Sequence, residues 1–321
     1  MRMGSTSCAT ISPMNINGVS GLNFHENMYF AYFNPGKKVG YPATIDHTMP
    51  KNVNVHNQNE VTTGPENSGD QVVIYGDPNN SLRHYKGTVP LFKNNFAVRG
   101  ALPKPAESCA EMFAAYLRSK GLSVSNSVAQ CVNRPSELKP ILSYYSNTYY
   151  VIAQYTNQTS NNMYAESIFK YLGYKSSGKG TFDSGAKAVS QYLRSKSLQL
   201  DGIKIVDGSG LSHSNRLTAS LMCRLLREVH NSNYGNDFKA TLARTGQTGT
   251  AKRLLTSLPS NIVVNIKSGT LDGVKSYAGY VTTPQNEVFS FCIICNGHDC
   301  TDAAIKSKLE RILREIATLK S

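Results

Sequence analysis

Two short runs carry side chains able to do chemistry. Ser160-Asn161-Asn162 puts a hydroxyl and a carboxamide at the start of a predicted helix, and Lys267-Ser268-Gly269-Thr270 puts a cation and a hydroxyl at the end of a predicted strand. A lysine so placed offers a fixed positive charge, and the serine beside it a hydrogen bond, to an anion such as a carboxylate. Gly269 has no side chain, so a ligand can approach the strand edge closely. The plain alternatives are that Ser160 caps its helix and Lys267 is a solvated strand end. Two further candidates are Ser136-Glu-Leu-Lys139, where a serine opening a helix lies one turn from a lysine, and Cys292-x-x-Cys295, half of a metal-site spacing with Cys300 nearby. The cysteines sit in an apolar run, and a separation of three puts them on opposite faces of a strand, so they read as buried structural thiols rather than zinc ligands.

The two polar runs have company. Glu166 and Leu172-Gly173 follow Ser160; Val206-Asp-Gly-Ser-Gly-Leu-Ser212 leads to Asn215-Arg216-Leu217; Gly249-Thr250 precedes Arg253; and Ile266-Lys-Ser-Gly-Thr-Leu271 is followed by Tyr277-Ala-Gly-Tyr-Val281. Upstream stand Gly100-Ala-Leu-Pro103 and Ser20-Gly-Leu-Asn-Phe24. In this order, along nearly the whole chain, these segments resemble the D-alanyl-D-alanine carboxypeptidase/endopeptidase family, the low-molecular-mass class C penicillin-binding proteins. The resemblance implies a serine-type hydrolase that works on peptidoglycan stem peptides through an acyl-enzyme, binds β-lactams, and uses no cofactor and no metal. It implies catalytic roles for Ser160, Asn162 and Lys267. Ser160 would relay a proton to the leaving amine, and Asn162 would bond the substrate amide. Ser268, Gly269 and Thr270 would bind substrate, the Thr270 N–H facing the oxyanion.

The family's nucleophile lies in a Ser-x-x-Lys well before the segment matching Ser20 to Phe24, and nothing before Ser20 contains one. The first half of the transpeptidase domain is therefore expected to be absent. Ser136 lies only 24 residues before Ser160, out of the family's motif order, and reads as a helix cap. Two classes of function follow: a penicillin-binding enzyme of which this chain is a fragment, and a non-catalytic wall-binding or scaffold protein built from the remnant. A Ser-x-x-Lys in coding sequence upstream of Met1 separates them.

The elements that must position these residues fall into three textures. From Gly21 to about Val132, short alternating segments (Asn27 to Phe33, Val53 to Val55, Gln71 to Tyr75) predict strands, interrupted by a helix from Pro105 to Lys120 with Met112, Phe113, Tyr116 and Leu117 on its apolar face. From Pro135 to His230 helices are predicted: Pro135 to Tyr155, Ser160 to Leu172 closed by Gly173, Phe182 to Lys196, and Leu217 to Val229. The third region is a meander, Ile262 to Ser268, Ser276 to Thr282 and Glu287 to Cys295, then a helix from Thr301 to Leu319 with Ile305, Leu309, Ile312 and Ile316 on one face. The expected fold is α+β, a β-lactamase/transpeptidase-like antiparallel sheet flanked by helices and incomplete at the N-terminus. Residues 1–132 are read as a β-rich inserted module and 133–321 as the C-terminal part of the enzyme domain.

Composition narrows the rest. The 321 residues are 40 % hydrophobic, enough for a core, which excludes wholesale disorder. Seven cysteines over this length do not make a small disulfide scaffold. The most apolar stretch, Val288 to Cys295, is far short of the roughly 20 residues a membrane helix needs. A formal charge of +13 suits an anionic partner, but the basic residues are scattered and match no nucleic-acid signature. The first residues hold no apolar core of a signal peptide. The full-length parent is expected in the periplasm or otherwise outside the cytoplasmic membrane, where its substrate is.

Overall fold

The structure, a computed structural model, describes residues 10–11, 19, 21–51, 53–77, 80–124 and 139–318. It divides into two compact units at Ile141–Leu142.

Unit 1 holds two sheets. Strands β1 (Thr10–Ile11), β2 (Met28–Asn34), β3 (Thr44–Met49), β4 (His56–Gly64), β5 (Val73–Gly76), β6 (Leu82–Pro90) and β7 (Phe96–Ala101) form one sheet in the order β1-β5-β6-β4 and another in the order β3-β2-β7. Strict alternation along β2 buries Tyr29, Ala31 and Phe33 completely, against Ile74, Tyr85, Val89 and Val98. Arg83 is fully buried in this unit, its guanidinium donating to the carbonyls of Asp77, Asn80, Leu82 and Ala101. Val53 to Val55 form no strand. Val53 turns back to bond Pro50, and both valines pack against the core from the approach to β4. The predicted helix is α1 (Pro105–Ser119), ended at Gly121, but Phe113 and Tyr116 are exposed, and Ala114 is the apolar residue it buries.

Unit 2 is helical first: α2 (Tyr149–Thr159), α3 (Asn162–Ser177), α4 (Phe182–Ser195), α5 (Ala219–His230) and α6 (Gly235–Thr241). Of the helix expected from Pro135 to Tyr155, the described part starts at Tyr149, capped by Thr148; Lys139 to Asn147 are not helical, and Pro135 to Leu138 lie outside the described residues. Gly173 does not close α3. It lies buried where α3 meets α4, and a Cβ there would collide with Ser184, so the glycine is a crossing point and the helix runs on to Gly178 at φ +72°.

Strands β8 (Ala243–Arg244), β9 (Val263–Leu271), β10 (Val274–Thr282) and β11 (Val288–Asn296) follow, in an antiparallel sheet ordered β11-β10-β9-β8, and then α7 (Asp302–Ala317). Alternation sorts the two faces: Tyr277 and Val281 join the core beneath α7, while Ala278 and Tyr280 join Leu226 of α5 and Leu242. The buried stripe of α7 is Ile305, Leu309, Leu313 and Ala317; successive steps of four carry it past Ile312, which is exposed. Cys292 and Cys295 are free thiols in β11. The Cys292 thiol is pushed up to about 11 by burial and then by the Cys223 thiol beside it.

Candidate active site

Ser160 ends α2 as its left-handed C-cap, at φ +56°, ψ +46°. The cap of the next helix is its neighbour: Asn161 Oδ1 accepts the Tyr164 N–H at 3.0 Å, so the Ser160 hydroxyl is released from capping. A non-glycine residue in this conformation costs about 1–2 kcal/mol, which the two abutting helices impose. Lys267 Nζ, from the middle of β9, donates to that hydroxyl at 2.8 Å and to the Ser268 carbonyl at 2.7 Å. Burial holds the Lys267 ammonium below its ordinary pKa, and among the described residues no carboxylate pairs with it. Asn162 follows as the first residue of α3, half-buried.

The other wall is the loop after β8. Gly249, at φ +55°, packs on the last turn of α2, where any Cβ would lie 3.0 Å from the Gln158 carbonyl carbon. Thr250 Oγ1 then stands 3.4 Å from Ser268 Oγ. Because β8 pairs only with Ile266 and Asn265, β9 from Lys267 onward presents an open edge among the described residues. Thr270 is exposed there and its hydroxyl accepts from Lys275 Nζ at 2.7 Å, while Gly269 faces Ser276, where a Cβ would stand 2.6 Å from Oγ.

Below the site, Glu166 is fully buried on α3 and accepts the backbone N–H groups of Gly208 and Ser209, both at 3.0 Å. Asp207 gathers the same loop, accepting from Gly210 N, Ser212 N and Asn215 Nδ2. These carboxylates therefore fix a glycine turn on α3.

The family described as D-Ala-D-Ala carboxypeptidase 3 (S13) matches residues 7–316. The chain belongs to that family. A D-alanyl-D-alanine carboxypeptidase of Actinomadura sp. is 26 % identical over 275 residues, 81 % of this chain and 49 % of the relative. D-alanyl-D-alanine carboxypeptidase DacB of Haemophilus influenzae is 22 % identical over 292 residues, 90 % of this chain and 60 % of its own. The chain thus spans about half the length of the curated relatives it matches. Penicillin binding protein 4 (dacB) of H. influenzae, solved in complex with a β-lactam, superimposes with a TM-score of 0.77 at 20 % identity, over 92 % of this chain and 70 % of that one. The α+β, β-lactamase/transpeptidase-like fold class follows.

Measured against the family's motifs, Ser160, Lys267 and Ser268 come together in unit 2, with Asn162 and Gly269 adjoining them in the chain. Thr250 was outside the sequence-derived site residues, although Gly249-Thr250 stands among the segments that carry the resemblance, which is the signal that could have found it. Ser136 lies outside the described residues. Motif order also passes over three more Ser-x-x-Lys tetrapeptides, beginning at Ser167, Ser176 and Ser184. Each hydroxyl is engaged inside the helix pair α3–α4: Ser167 donates to Met163 O, Ser176 to Gln191, and Ser184 to Lys179 O within the α4 capping box.

Proposed function

We propose that this chain carries the leaving-group and carboxylate-binding side of a serine-type D-Ala-D-Ala carboxypeptidase or D,D-endopeptidase acting on peptidoglycan stem peptides. The observation that supports it is the 2.8 Å bond from Lys267 Nζ to Ser160 Oγ beside the open edge of β9. With its oxygen accepting from the ammonium, Ser160 has its own proton free to aim at a leaving amine. The terminal carboxylate of D-Ala-D-Ala meets the positive end formed by Lys267, Ser268 and Thr250, and the peptide lies along β9 as an added strand. Gly269 leaves room for it, and the Thr270 N–H faces the developing oxyanion. Asn162 bonds the substrate amide. Attack comes from a serine of a Ser-x-x-Lys pair, giving an acyl-enzyme that water hydrolyses. Residues 1–132 are a β-rich module inserted in that enzyme domain, and the substrate places the work outside the cytoplasmic membrane.

Labelling with fluorescent penicillin, then mass spectrometry, tests the reading on this chain, and D-Ala release in the presence of a chelator tests it on the longer protein. The expected results are reversible binding of a D-Ala-D-Ala peptide by this chain, abolished by Lys267→Met, and chelator-insensitive release by the parent. Binding that ignores Lys267, or a parent that releases no D-Ala, refutes it. A stoichiometric adduct on Ser136 would make that serine the nucleophile.

A further inference from the structure

Unit 1 contains a groove of about 690 Å³, and no residue named for catalysis lines it. One wall is Thr44 to Thr48 of β3, the other Asn57 and Asn59 of β4, with Lys51 just past the end of β3. The groove is a forked ladder. Residues before β3 pair antiparallel with the end of β4: Ala43 N–H donates to Val61 O at 2.9 Å, Thr63 N–H to Tyr41 O at 2.8 Å, and Pro42 bridges Thr62. Past that point the pairing stops, and the strands go separate ways, β3 to β2 and β4 to β6. The Asn59 side chain closes the fork, its Nδ2 donating to Ala43 O at 2.7 Å and its Oδ1 accepting from Val61 N at 3.0 Å.

Each wall is therefore the outermost strand of its own sheet, and among the described residues no strand lies between them. Outer strands present unpaired N–H and C=O groups. Five consecutive residues of β3 line the groove, although alternate residues of a strand face opposite ways. A cavity that touches all five meets the strand at its edge, where the backbone groups are. One extended residue fills about 160 Å³, taking roughly 3.4 Å of rise, 4.8 Å between strands and 10 Å between layers. The groove thus holds about four residues, and Thr44 to Thr48 run for about four residue steps. Its walls add the hydroxyls of Thr44 and Thr48, and its charged groups are unequally engaged. Asp46 is bonded to His47 Nδ1 at 2.7 Å, whereas Lys51 has no ion-pair partner among the described residues.

We propose that this groove binds a short acidic peptide of about four residues in extended form, as an added strand between β3 and β4 with its carboxylate at Lys51. The backbone of such a ligand would satisfy both edges at once and join the two sheets.

The test titrates the full 321-residue chain with acetyl-Ser-Ala-Thr-Glu, by calorimetry and by amide NMR shifts. Saturable binding is expected, with shifts confined to residues 44–48 and 56–60 and slowed hydrogen exchange there. Methylating the two inner backbone nitrogens of the peptide should weaken binding about tenfold, the weight of two lost backbone hydrogen bonds. Lys51→Ala, at an exposed turn, should cost about threefold to fivefold and nothing once the peptide's two carboxylates are amidated. Equal binding of the methylated peptide overturns strand addition. Shifts of the same amides by chitotriose but not by the peptide overturn the ligand class, and shifts elsewhere overturn the site.

Discussion

Two glycines in one loop separate backbone strain from steric collision and bear on the candidate site. Gly246 and Gly249 both have positive φ, +71° and +55°. An alanine at Gly246 finds its nearest neighbour, Thr256 Cα, at 3.9 Å, in ordinary contact. At Gly249 the new methyl lies inside contact distance of the Gln158 carbonyl oxygen and 3.0 Å from its carbon and Cα. Gly246→Ala therefore costs only the left-handed penalty, about 1 kcal/mol. Gly249→Ala adds overpacking against a helix backbone, about 1–3 kcal/mol more. For a unit of this size each kcal/mol is about 2–4 °C in melting temperature. The expected shifts are about 2–4 °C for Gly246→Ala and about 4–16 °C for Gly249→Ala, read by thermal unfolding with hydrogen exchange in α2 assigning the transition. Because Gln158 stands two residues before Ser160, the collision also pushes Ser160 away from Lys267, so carboxylate binding should fall in the second variant and survive in the first. Two variants that melt together would refute the argument.

Glu166→Gln should destabilise unit 2 by about 2–4 kcal/mol, since it trades one charge-assisted bond for a donor facing the Gly208 or Ser209 N–H. Urea unfolding reads this, and a loss under 0.5 kcal/mol would show the turn holds without the carboxylate. The depressed Lys267 pKa has two signs to check. Between the folded and unfolded values the folded chain binds fewer protons, so stability should rise with pH there, an increment that Lys267→Met lacks. Affinity for a carboxylate should fall over that range in the wild type and hold in Lys267→Arg. In unit 1, Tyr85 OH lies between Tyr29 OH at 2.5 Å and Asn57 Oδ1 at 2.9 Å. Tyr85→Phe should cost about 1–3 kcal/mol by leaving the buried Tyr29 hydroxyl unpaired, and adding Tyr29→Phe should recover part of it by calorimetry.

What the sequence made legible was local. The meander of β9 to β11 shows in its alternation and α7 in its stripe, whereas the Lys267 run, expected at a strand end, lies inside β9, which continues to Leu271. Contacts between distant segments were not legible. Gly173 looks like a stop signal until α4 is laid across it, and Lys139 to Asn147 fall inside a predicted helix although α2 starts from its cap at Thr148. Phe113 and Tyr116 keep helical spacing yet stay exposed, because periodicity says which residues share a face and not whether anything covers it.

Ser160 shows why the site needed both readings. From sequence, a serine before an asparagine-rich helix start is as good a cap as a proton relay. The structure removes the cap reading: Asn161 takes the cap, and Ser160, at positive φ, accepts from a lysine 107 residues away. Lys267 in turn is largely buried with a hydroxyl and a carbonyl but, among the described residues, no carboxylate, which leaves its charge uncompensated there. Such a cation at an open strand edge is stabilised by an arriving carboxylate more than an exposed lysine would be. The desolvation that costs the empty fold stability is therefore the source of affinity, and relieving it with Lys267→Met should stabilise unit 2 while abolishing carboxylate binding. A variant that lost both together would show the lysine to be a structural pin for Ser160 instead.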